Sequence, residues 1–75
     1  MSYNGHKSWA AWNVSLWINN DEGLYNMARR AVRQCRTKEK AARAMLEDLN
    51  ACDITETPDG ARYTVTSIRA AMVDL

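Results

Sequence analysis

The fold is decided at residues 8–21, which read SWAAWNVSLWINND. Three tryptophans, Trp9, Trp12 and Trp17, fall within nine positions of this stretch, and the chain contains no phenylalanine. A large aromatic side chain can bury about 150–250 Å², which makes it efficient filling for the core of a small domain. We therefore expect Trp9 and Trp17 at the centre of the core, whereas Trp12 fits the core and an exposed contact patch about equally well.

Capping residues predict that this stretch forms a helix and that the helix ends near Asn19. Ser8 is a suitable N-cap for a first helix over about residues 9 to 19, in which apolar residues recur at steps of three and four. The segment Val14–Ile18 would also fit a strand, but the cap and the length favour a helix. Asn19, Asn20 and Asp21 then stop this helix and start the next, because Asn tolerates the left-handed conformation and Asn20 or Asp21 can cap the following turn.

The same signals predict the elements that follow. A second helix runs to about Arg36, and a third, capped by Thr37, covers about residues 38 to 51. Thr66 or Ser67 is expected to cap a short last helix, and Pro58-Asp59-Gly60 marks a turn in a small hairpin near residues 54–64. The sequence thus predicts a single all-α domain over residues 1–75, a compact bundle of three to four helices with residues 1–7 as an N-terminal arm. The expected core comprises Trp9, Trp17, Leu24, Met27, Val32, Met45, Leu49 and Ile68.

Composition excludes several classes of protein. The chain has 75 residues, of which 47% are hydrophobic and 25% charged, so collagen-like, coiled-coil and disordered chains fit poorly. Its apolar runs are too short for a transmembrane helix. Residues 1–7 lack the basic-then-apolar order of a secretion signal, so a cytosolic location without membrane contact is expected.

Residues suited to catalysis or to metal binding are sparse. The cysteines, Cys35 and Cys52, lie far apart in the sequence and far from the only histidine, His6, so no metal site is expected. We expect both cysteines to be reduced and to fill small apolar gaps. The three glycines are isolated and form no phosphate-binding loop. The sequence therefore predicts neither a cofactor nor enzymatic activity.

Charge is strongly segregated along the chain, although ten cations nearly balance nine anions. Residues 29–43 carry seven cations and one anion, and residues 47–59 carry five anions and no cation. Ordinary solvated helix faces would also give such a pattern. A bipolar field, however, can orient a binding partner before contact and raise the rate of association.

Each charged region predicts its own kind of partner. The acidic residues could bind a Lys/Arg groove through charge-assisted contacts, and they are Asp21, Glu22, Glu47, Asp48, Asp53, Glu56 and Asp59. The basic residues could instead face nucleic-acid phosphates, and they are Arg29, Arg30, Arg33, Arg36, Lys38 and Lys40. A helix-turn-helix is not expected, because no glycine-containing turn follows the second helix and the third has few residues that read bases.

The first third of the chain resembles a known family. Tyr3-Asn4-Gly5, Trp9 and the stretch from Trp12 to Tyr25 match the form YNG…W…WNV.LWI.NDE.LY, which small phage and prophage proteins of undefined function share. The resemblance implies a protein of a phage or mobile element that works in the bacterial cytoplasm. It transfers no catalytic residue to this chain.

Small enzyme-free proteins of such elements often inhibit a host defence complex, and this chain is similar in those respects to anti-CRISPR proteins. The expected function is thus non-enzymatic inhibition of a type I CRISPR–Cas surveillance complex, with the acidic residues occluding its DNA-binding surface. One alternative is a nucleic-acid-binding accessory protein that uses the basic second helix. Another is an adaptor or an oligomerising structural protein.

Overall fold

The computed structural model describes residues 8–75, which form four helices; the first three are joined by short links and a longer segment, residues 52–64, precedes the fourth. In chain order these are α1 (Trp9–Asn20), α2 (Glu22–Gln34), α3 (Lys38–Ala51) and α4 (Val65–Ala71). α1 packs against α2 and α4, and α3 packs against the same two helices, so the four surround one core. The predicted all-α class is confirmed.

The capping residues Ser8 and Asp21 mark the two ends of α1. The Ser8 hydroxyl accepts from the backbone N–H of Ala11 at 3.2 Å, as expected of an N-cap. Asp21 alone separates α1 from α2: its backbone N–H donates to the Trp17 carbonyl, and its side chain accepts from Leu24 N–H at 2.9 Å. The same residue therefore ends one helix and begins the next.

The tryptophans do not form the centre of the core, contrary to the prediction. Trp9 is 41% exposed, and Trp12 and Trp17 are half-buried. Val14 and Ile18 are the α1 side chains that are completely buried together with apolar neighbours from the other helices. Apolar residues surround most of the circumference of α1, but only one of its faces packs inward, so Trp9 is left at the surface.

α2 and α3 form an antiparallel helical hairpin. Only residues 35–37 separate them, and two packed neighbouring helices with so short a link have the arrangement of an αα-hairpin. α2 ends at Gln34, two residues before the predicted end at Arg36, because Cys35 adopts an extended conformation. α3 has the predicted bounds, and Thr37 caps it by accepting from Lys40 N–H at 3.1 Å.

α3 ends in a Schellman motif at Asp53. Asp53 adopts a positive φ of 60°, the left-handed conformation that helix ends commonly require. Its N–H donates to the Asn50 carbonyl at 3.0 Å, and the next N–H, of Ile54, donates to the Leu49 carbonyl at 2.8 Å. These two bonds satisfy carbonyl groups that the helix itself leaves without donors.

The segment between α3 and α4 contains one antiparallel bridge, between Glu56 and Arg62. It closes over a turn in which Gly60 N–H donates to the Thr57 carbonyl at 2.8 Å and Gly60 has a φ of 93°. The predicted hairpin near residues 54–64 is therefore reduced to a single bridge. Within residues 8–75 no extended strand is formed.

α4 starts earlier than the predicted caps indicate. Thr64 is its N-cap, and Ser67 completes a capping box: the Thr64 hydroxyl accepts from Ser67 N–H at 3.1 Å while the Ser67 hydroxyl accepts from Thr64 N–H at 3.0 Å. Thr66 or Ser67 as the cap is thus wrong. Ser67 lies in the first turn, where it assists the cap as the fourth residue of such a box does.

The core combines apolar side chains from all four helices with Ala61 and Tyr63 of the preceding segment. Met45, Leu49 and Ile68 are completely buried, as predicted. Three other predicted core residues, Leu24, Met27 and Val32, are partly buried and pack against it. Both cysteines are unpaired, but only Cys35 packs on the core. Cys52 is exposed, so its prediction as apolar filling is wrong.

Candidate binding surfaces

A buried amide on α1 holds the segment before α4 in place. Asn13 is 2% exposed although it lies on a helix face that is otherwise apolar. Its carbonyl oxygen accepts from the Thr57 hydroxyl at 2.6 Å, and its amide nitrogen donates to Asp59 Oδ2 at 2.9 Å. The indole N–H of Trp17, one turn along, donates to the same Oδ2 at 2.9 Å. We call these four residues the latch.

The latch also orders the turn that it holds. The Thr57 hydroxyl accepts from Ala61 N–H at 3.0 Å, and Thr57 N–H donates to the Ala61 carbonyl at 2.8 Å. The hydrogen bonds from Asn13 and then from Trp17 hold the pKa of Asp59 below its usual value. The latch therefore favours a charged carboxylate at the tip of the turn. The latch was not predicted from the sequence. Its sign there is Asn13, a polar residue on the apolar face of α1.

The acidic residues gather at one end of the α2–α3 hairpin. Since the two helices are antiparallel, the first turn of α2 lies beside the last turns of α3. This arrangement brings Glu22 towards Glu47 and Asp48, with Asp53 at the end of α3. All four side chains are exposed. We call Glu22, Glu47, Asp48 and Asp53 the acidic end.

The other three predicted acidic contacts already have internal roles. Asp21 caps α2 with Oδ1, and Asp59 accepts both latch bonds through Oδ2, although both residues are exposed. Glu56 lies opposite Arg62 in the backbone bridge, where directly opposed side chains are neighbours. Their carboxylates are therefore less available to a partner than those of the acidic end.

Asp21 also influences the interior of the protein. Tyr63 is 5% exposed, and burial of its phenol raises its pKa, with a further increase from the Asp21 carboxylate. The Tyr63 backbone N–H donates to the Thr55 carbonyl at 3.0 Å. The segment before α4 thus packs close to the junction of α1 and α2.

The charges on α3 oppose its own dipole. The N-terminus of a helix is its positive end and favours anions, whereas the C-terminus favours cations. α3 has Lys38 and Lys40 in its first turn and Glu47 and Asp48 towards its last, with only Glu39 in the favourable arrangement. Helix stability therefore does not account for the segregation of charge on α3.

The cations lie towards the opposite end of the hairpin and over the outer face of α2. Arg29, Arg30 and Arg33 are exposed on that face, and Arg36 is exposed in the link. Lys40 is also exposed, but Lys38 is half-buried and its Nζ donates to the Val73 carbonyl at 2.6 Å. Lys38 is thus the one predicted basic contact residue with a structural bond of its own.

An open groove lies between α1 and α4, bordered by small side chains such as Ala11, Ser15 and Ala70. Elsewhere on α1, Trp9 and Leu16 are about 40% exposed. In the part of the chain from residue 8 onwards, no three His, Cys, Asp or Glu residues are placed to hold a metal ion. None of the four helices combines the length and hydropathy that crossing a membrane requires.

Comparison with known proteins shows the family to which the chain belongs. Neither a curated protein nor a solved structure matches the chain. A family model does match, and it extends over residues 1–75, so it includes α1 with its latch residues, both charged regions and α4. The chain belongs to DUF7249, a family of unknown function.

Proposed function

We propose that the protein is a non-enzymatic inhibitor, encoded by a phage or prophage, that binds a bacterial defence complex in the cytoplasm of the host. Its expected target is a type I CRISPR–Cas surveillance complex, whose DNA-binding surface it occludes. The observation that supports this proposal is the acidic end, whose four residues, Glu22, Glu47, Asp48 and Asp53, are all exposed.

The acidic end has the chemistry needed to replace DNA phosphates. A groove that binds DNA presents Lys and Arg side chains, which also form charge-assisted hydrogen bonds with carboxylates. Glu47 and Asp48 lie on a regular helix and Asp53 follows it in a defined cap, so little backbone freedom would be lost on binding. Opposite charges on the two surfaces would also accelerate their encounter.

The unfavourable charges of α3 support the same proposal. Asp48 in the last turn of α3 faces the negative end of the helix dipole, which costs the isolated domain stability. A partner with a basic groove would compensate that cost, because it supplies the cations that the helix end lacks.

Inhibition can be measured in a host with an active type I system. Expression of the wild-type chain should restore plaque formation by a targeted phage, and purified chain should prevent the purified surveillance complex from shifting its target DNA in a gel. Unchanged restriction together with an unchanged DNA shift would refute the proposal.

Charge reversal identifies the contact surface. Glu47→Lys with Asp48→Lys should abolish inhibition, and Glu39→Lys with Asp74→Lys is the control because it changes net charge equally outside the acidic end. Arg33→Glu with Arg36→Glu should leave inhibition intact. Loss of inhibition in the control or in the arginine variant, with circular dichroism unchanged, would contradict a contact through the acidic end.

A further inference from the structure

The outer face of α2 carries a shallow groove that is distinct from the acidic end. Asn26, Arg29, Arg30, Arg33 and Gln34 line it, and all five are exposed. Their spacings of three and four residues place them on one side of the helix. The opposite side buries Ala28 and Ala31 against the core, so the groove lies on the surface that α2 turns towards solvent.

Arginine is the cation on this face. Its planar guanidinium donates paired hydrogen bonds that match the geometry of a phosphate, and it is more weakly hydrated than an ammonium group. The Arg29 guanidinium lies 5.8 Å from the centre of the Tyr25 ring, a cation–π distance that restrains it. Asn26 and Gln34 add neutral amide donors at the two ends of the groove.

We propose that this arginine groove binds the phosphodiester backbone of nucleic acid, without preference for sequence. Arg36, Lys40 and Arg43 continue the positive surface past the link to the outer side of α3, and all three are exposed. Such a long run of cations matches a ligand whose negative charge repeats regularly, as in duplex DNA with one charge per about 1.7 Å. Backbone contacts of this kind position a protein on a duplex but do not read bases.

This inference does not depend on the proposed inhibition. The two surfaces use different residues, and nucleic-acid binding requires no protein partner. Of the six predicted basic residues, only some would contact the phosphates. Arg29, Arg30 and Arg33 make the central contacts, while Lys38 is occupied by its bond to Val73.

The test is fluorescence anisotropy of the purified chain with labelled duplex DNA of mixed sequence, titrated between about 50 and 200 mM salt. We expect measurable affinity at low salt, with a slope of log K against log[salt] near −3 for about three phosphate contacts. Arg30→Gln should reduce the magnitude of the slope by about one. Arg30→Glu with Arg33→Glu should abolish binding.

Three controls can overturn the proposal. Arg62→Glu with Arg69→Glu makes the same change of net charge away from the groove and should retain most of the affinity, as should the acidic-end variant Glu47→Lys with Asp48→Lys. The proposal is refuted by absence of binding at low salt, or by equal loss of affinity in the groove and control variants. Binding to polyglutamate as tight as to DNA would also refute it, and would indicate an acidic protein as the ligand.

Discussion

At the scale of single residues, Asn13 connects helix α1 to the irregular segment between α3 and α4. It is buried in α1, and its two hydrogen bonds reach Thr57 and Asp59, more than forty positions along the sequence. A buried polar group is tolerated only when it is hydrogen-bonded. Asn13 therefore fixes where the segment before α4 lies, and with it the start of that helix.

Asn13→Ala should destabilise the domain by about 1–3 kcal/mol, because the buried Thr57 hydroxyl loses its acceptor. Asn13→Asp should be worse at neutral pH, since it sets a second carboxylate against Asp59. The free energy of unfolding from urea titration measures both. Asn26→Asp on the exposed face of α2 is the matched control, with an expected change within about 0.5 kcal/mol. Equal stability of wild type and Asn13→Asp would contradict the latch.

The pKa of Asp59 gives the latch a pH dependence. Since folding lowers this pKa, the contribution of Asp59 is present above the pKa of the unfolded chain and is lost as the pH falls towards the folded value. Asp59→Asn should therefore be less stable than wild type at pH 7, with the difference shrinking as the solution is acidified. Urea midpoints measured across the acid range test this, and a constant difference would argue against a charged Asp59 in the latch.

At the scale of elements, the caps account for most of what could be predicted. Ser8 and Thr37 begin their helices as predicted, and Asp21 is one of the two caps that the sequence allows for α2, because side-chain capping is a local property. The start of α4 could not be chosen in advance, since Thr64, Thr66 and Ser67 are all competent caps. The reciprocal bonds of Thr64 with Ser67 decide it.

The positive φ of Asp53 makes the end of α3 a site for stabilisation. Asp53→Gly should raise stability by about 1 kcal/mol, because glycine adopts the left-handed conformation without a steric penalty. Asp48→Gly removes the same charge from the last turn of α3, where the backbone is still helical, and should lower stability instead. Thermal melts of the two variants therefore shift in opposite directions. A lower melting temperature for Asp53→Gly would contradict the assigned cap.

The reversed charges of α3 predict a conflict between stability and binding. Asp48→Lys places a cation in the last turn and should stabilise the isolated domain by about 0.3–1 kcal/mol. The same change should weaken inhibition of the surveillance complex if the acidic end makes contact. Chemical denaturation and the plaque assay together check this. A variant that loses inhibition because it is unfolded would show the opposite change in stability.

At the scale of the whole molecule, the sequence predicts the class of fold but not the distribution of aromatic side chains. Periodicity places apolar residues on each helix, and Met45, Leu49 and Ile68 are buried accordingly. Trp9 was not foreseeable as exposed, because apolar residues surround α1 and only the packing of α2 and α4 decides which of them face inward. The acidic and basic binding surfaces stay predictions from the charge pattern along the chain, which the short link after α2 places on two packed helices.

The two free thiols lie at opposite ends of the hairpin, so their reactivity can reveal binding at either end. Cys52 is exposed at the acidic end of α3, whereas Cys35 lies in the link beside the arginines, about 21 Å away along a helix of this length. Alkylation of these two cysteines in the wild-type chain should therefore show which end of the hairpin a bound partner covers, without any engineered cysteine. An inhibited complex should shield Cys52 from maleimide, bound DNA should slow the reaction at Cys35, and mass spectrometry of the two peptides distinguishes these footprints.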